Sequence, residues 1–232
     1  MTPRRALSDR TAEINPTVRD DLTASHHPAP VGLWSAIAVA VLVAAFGLSL
    51  AIGLPLAVSF TASFFLAPAF VAMVVSLAAE APPERRIWGQ LGAGFAVIYA
   101  VMVTTTYYLQ LAVVLPGEGR IPEAVFPLLA FTPGSALFAL DMLGYGFMTL
   151  ATLAASPVFV GAGLERWLRA WFIAHGLLVV PTLLAPILMA GGADGSSDQI
   201  GSLVLIGWSI FFLPLAAMMA VYFARRRRTA RT

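Results

Sequence analysis

The chain has 232 residues, 59% of them hydrophobic and 11% charged, and its mean hydropathy of +0.84 excludes a water-soluble globular fold. It has no cysteine, which rules out disulfides, iron–sulfur clusters, thiolate nucleophiles and Cys-ligated zinc. All fourteen cationic side chains are arginine, so a Schiff base on a lysine amine is ruled out too. The absence of lysine together with abundant alanine points to a bacterial source.

The first 32 residues are rich in Thr, Asp, Arg and Pro and show no apolar periodicity, which predicts a disordered cytoplasmic tail. His26 and His27 lie in that tail and are read as solvated residues, since two imidazoles alone do not supply the ligand set of a zinc site. From residue 33 the chain turns apolar. A helix crossing a hydrocarbon core of roughly 30 Å needs about 20 apolar residues, and the pattern predicts six such helices near 33–54, 59–79, 88–114, 134–160, 168–190 and 200–223. The first two are split only by the "GLP" at Gly53–Pro55, a turn signal inside an otherwise continuous apolar run. The expected fold class is therefore all-α, a polytopic bundle of six transmembrane helices over 33–224, followed by a basic tail over 225–232.

Arginine placement supports six spans. Counted that way, thirteen of the fourteen arginines fall on one side, in the N-terminal tail, at Arg85 and Arg86, at Arg166 and Arg169, and from Arg225 to Arg231; only Arg120 falls on the other. The positive-inside rule then puts both termini in the cytoplasm, with the protein in the bacterial cytoplasmic membrane. Arg225, Arg226, Arg227 and Arg228 are expected to hold anionic lipid headgroups, at about 1 kcal/mol per residue near the surface.

Within the spans, polar residues are few and patterned. Asp141 stands alone in about thirty residues otherwise free of charge, roughly 10 Å from the outer end of helix four at 1.5 Å per residue. At 100° per residue, Asp141, Tyr145, Thr149, Thr152 and Ser156 fall on one face, a polar stripe that must turn toward protein or water. Gly144 and Gly146 beside it would let a neighbouring helix come close. Helix three brings "TTTYYLQ" to the same depth, so Gln110 or a tyrosine such as Tyr107 is the expected partner of Asp141. His175 lies near the opposite face of the membrane, too far in depth to pair with Asp141 directly. It is read as a packing residue, with a water relay along the stripe as the other reading. Pro181 and Pro186 are expected to kink helix five.

Several enzyme classes lack their residues. A transmembrane b-type haem needs paired histidines and the spans hold one; there is no HExxH and no Gly-rich phosphate loop; Ser135 in "PGSA" is not in a G-x-S-x-G elbow. The "ERWLRAW" at 165–171 reads as an interfacial anchor. The two halves of the chain share no motif, so no internal repeat is read. The expected function is that of a non-enzymatic structural, accessory or sensory membrane protein with no cofactor, no metal and no nucleic-acid partner, its oligomeric state left open. The alternative is a small proton-coupled transporter or channel using Asp141, for which Tyr145, Thr149, Gln110, Tyr107 and His175 complete the candidate polar site.

Overall fold

The computed structural model describes residues 28–189 and 196–229. The N-terminal arginines and the His26–His27 pair lie outside the described residues, as does Asp194. Every described element is helical, and six helical stretches are long and apolar enough to cross a membrane.

Helix α1 spans Ala29–Ala51, with Pro30 at its start, where proline's fixed φ suits a first turn and no N–H is missed. It ends at Gly53, whose φ of 69° reverses the chain, and Pro55 leads into α2, Leu56–Ala79. The expected hairpin is present. α3, Arg86–Leu109, is entered by a short 3-10 turn and runs on into a π-helical turn, Gln110–Val114. The connection after it carries a single-turn helix α4, Phe126–Leu129, before Ser135 caps α5, Ala136–Ala155, by accepting the Phe138 N–H at 3.0 Å. α6, Leu164–Leu177, and α7, Val179–Met189, together make the fifth span, and α8, Ser196–Thr229, makes the last.

The helix bounds differ from the expected ones in several places. The first span begins at Ala29 and the fifth at Leu164, about a turn early in each case, which takes Arg166 into the helix. The fifth span breaks at Leu178, ahead of the expected kink, because Pro181 has no N–H to give the carbonyl of Leu177. The last helix runs through Arg225–Arg228 to Thr229, so the expected separate tail is in large part helix. Arginine is a strong helix former, and cations at a helix C-terminus are favoured by its dipole. The extension is also tied down. Arg226 donates to Glu165 at 3.3 Å and to the Tyr222 hydroxyl at 3.2 Å, while Glu165 accepts the backbone N–H groups of Val160 and Gly161. This joins the start of α6 to the end of α8.

The spans close a ring. Neighbours in sequence pack against one another from α1 through α2 and α3 to α5, then α6 and α7; α8 completes the circuit by packing on both α6 and α1. Inside the ring lie Phe70, Tyr99, Met148, Phe172 and Phe212, all without exposed surface. Isolated hydroxyls on the spans bond back to their own helix, Ser35 to Val31, Ser76 to Ala72 and Thr104 to Ala100, which satisfies them where water is scarce.

Candidate functional site

The polar stripe of α5 faces inward along its whole length: Asp141, Tyr145, Thr149, Thr152 and Ser156 are all buried. α5 reaches this central position because it packs closely on α3. A Cβ on Gly144 would stand 2.7 Å from Val103 Cγ2, and one on Gly146 the same distance from Leu183 Cδ2. Both glycines therefore admit neighbouring side chains, from α3 on one side and α7 on the other.

Asp141 is wholly buried and accepts a hydrogen bond on Oδ2 from the Tyr107 hydroxyl at 3.3 Å. Of the two expected partners, the tyrosine is the one found. Gln110 points elsewhere, donating from Nε2 to the carbonyl of Leu129 at 2.7 Å, where it satisfies the C-terminus of α4. Three more buried hydroxyls lie on α2, α3 and α5, those of Ser63, Tyr99 and Tyr145. Ser63 of α2 and Tyr145 are within interaction range of Tyr107 and of each other, and the Tyr99 ring packs on Tyr145 with centroids 5.7 Å apart. Among the described residues, the Tyr99 hydroxyl and Asp141 Oδ1 have no hydrogen-bond partner.

At the other end of the stripe His175 is also fully buried, with both ring nitrogens engaged. Nδ1 lies 2.8 Å from Thr152 Oγ1, and Nε2 accepts the indole N–H of Trp208 at 3.2 Å. The tautomer follows from these partners. An indole nitrogen only donates, so Nε2 carries no proton; Nδ1 then carries it and donates to Thr152, whose own hydrogen goes to the carbonyl of Thr149 at 2.8 Å. Thr149 in turn donates to Gly146 O at 2.7 Å. This chain ends on backbone carbonyls and does not reach Asp141. Phe212 packs on the imidazole with centroids 4.8 Å apart, and Trp208 also meets Tyr145, edge to face, at 5.3 Å.

The two groups are thus separate polar centres linked through aromatic packing at Trp208. Trp208 and Ser63 are site residues that the sequence reading missed. Both sit in otherwise apolar helices, where one indole or one serine gives no periodic signal. Between α5, α7 and α8 lies a cleft of about 440 Å³, walled by Met142, Tyr145, Thr149, Thr182 and Trp208 among others, and Asp141 is not part of its wall. Among the described residues no group of three or more His, Asp and Glu side chains is placed to hold a metal. Comparison of the chain with protein-family models, curated proteins and solved structures returns no match.

Proposed function

We propose that the protein is a non-enzymatic six-span component of the bacterial cytoplasmic membrane, structural, accessory or sensory in role, and that Asp141 ties α5 to α3. The observation that carries this reading is the sealing of the carboxyl. Asp141 is fully buried, bonded across to α3, and absent from the wall of the cleft that its neighbours Met142 and Tyr145 line. A coupling residue in a carrier has to meet water on each side in turn, usually where helices are broken at the midplane. Among the described residues the fifth span is broken at Leu178, which adjoins the saturated His175 pair and not the carboxyl.

Proteoliposomes holding a pH-sensitive dye test this against the proton-coupled alternative. After an imposed pH step, wild-type and Asp141→Asn vesicles are expected to leak protons at the same rate as protein-free ones. A wild-type flux that the Asn variant abolishes overturns the structural reading.

Both termini are proposed to be cytoplasmic, on the strength of the arginine asymmetry. Of the C-terminal arginines Arg226 is committed to Glu165, which leaves Arg225, Arg227 and Arg228 for anionic headgroups. A C-terminal alkaline phosphatase fusion should be silent and a C-terminal fluorescent fusion bright. Strong phosphatase activity contradicts the six-span topology.

A further inference from the structure

We propose that the cleft between α5, α7 and α8 holds one acyl chain of a membrane phospholipid, which enters sideways from the bilayer and fills a gap in the ring of spans. The inference rests on the reading of the protein as membrane-spanning and names what fills the bundle where its own helices part.

The gap follows from the break in the fifth span. Before the break, α6 lies tight on α5, where a Cβ on Gly176 would stand 2.5 Å from Leu153 Cβ, and it also packs on α8. Beyond Leu178 the span stays with α5, through Leu183 against Gly146, but α7 is not among the elements that pack closely on α8. The cleft of about 440 Å³ lies there, with Ala185 contributed by α7, Gly207 and Trp208 by α8, and Met142 by α5. Val204 lines it and is 63% exposed, so the cleft reaches the outer surface of the bundle. That surface is apolar, with Val180 and Leu184 also exposed, and it belongs to spans that meet hydrocarbon.

The wall selects the occupant. Most of its residues are apolar, and its polar groups are largely committed elsewhere: Thr149 donates to Gly146 O and the Trp208 N–H goes to His175. A trapped water wants two to four polar partners, which this wall does not supply. Left empty, the cleft would forfeit the dispersion contacts that a close-packed interior makes. Size then decides among apolar occupants. A helix about 10 Å across uses up 440 Å³ in about one turn, so a helix from a partner or a second copy does not fit. At about 30 Å³ for a group of water or methylene size, 440 Å³ takes about 15 groups in line, as many as one phospholipid acyl chain carries. Such a chain needs no hydrogen bond, and its single bonds let it follow an irregular wall.

The test is fluorescence quenching of the full chain in vesicles of phosphatidylcholine brominated at mid-chain, since bromine quenches an indole only at close range. With Trp34, Trp88, Trp167 and Trp171 changed to Phe, Trp208 is the sole emitter, packed among Phe46, Tyr145, His175 and Phe212 and lining the cleft. A reference has all five tryptophans changed to Phe and carries Val41→Trp, at a position 61% exposed near the middle of α1. Trp208 should be quenched about as strongly as the reference. Gly207→Leu should then remove most of the Trp208 quenching, because a Cβ on Gly207 meets nothing within 4 Å and the added side chain fills the cleft without a clash. Ala185→Leu, reaching in from α7, should do the same. A quenched reference beside an unquenched Trp208 overturns the proposal and leaves the membrane-spanning reading intact; an unquenched reference overturns both. Quenching of Trp208 that neither Gly207→Leu nor Ala185→Leu reduces also overturns the proposal, since the lipid then reaches the indole by another route.

Discussion

Replacing His175 with alanine should cost about 3–5 kcal/mol, the range for removing a large ring from a closed core. The imidazole has no exposed surface and packs against the rings of Phe211, Phe212 and Trp208, so the space it leaves is walled by rigid groups that relax poorly. The same change strands the Trp208 N–H, whose acceptor it removes, and leaves Thr152 Oγ1 without the donor it now has. For a chain of this length the melting midpoint in detergent should fall by about 10 °C. A double-mutant cycle isolates the hydrogen bond. Trp208→Phe keeps an aromatic ring, smaller than the indole, and deletes the donor, so the His175 and Trp208 changes together should cost less than their sum. An alanine variant that melts within a degree of wild type would mean the imidazole is not a structural element at all.

That pair also shows where sequence reading stops. Hydropathy alone located six spans, because a backbone in lipid has no option but a helix of about 20 apolar residues. The α5 stripe was legible for a similar reason: a period of 100° carries five polar side chains onto one face, and all five are buried. Which helix a polar group meets is a different kind of fact. His175 finds Trp208 only because α8 closes the ring against α6, a contact between residues 33 apart in sequence that no local pattern records. Gln110 shares a helical face with Tyr99 and Thr106, yet it opens the π-turn and goes to the carbonyl of Leu129. The last helix was cut short at its arginines, because a run of charge looks like solvent when its partner, Glu165, lies 61 residues away.

The second large effect concerns Asp141, and it should depend on what replaces the carboxyl. Asp141→Asn keeps the size and an acceptor oxygen for Tyr107. Hydrogen bonds of this kind in membrane proteins average about 0.6 kcal/mol, so the Asn midpoint should lie within about 2 °C of wild type. Asp141→Leu leaves the buried Tyr107 hydroxyl with no acceptor, at about 1–3 kcal/mol. It also sets a branched side chain into a position with no free surface, where overpacking adds about as much again. A fall of about 5–10 °C is expected for Leu. The contrast between the two variants is the diagnostic, since it separates loss of an acceptor from loss of a charge. If Asn is as damaging as Leu, the negative charge itself holds the helices. If Leu is as mild as Asn, the Tyr107 bond contributes nothing, and α3 and α5 are held by the packing of Val103 against Gly144 and its neighbours.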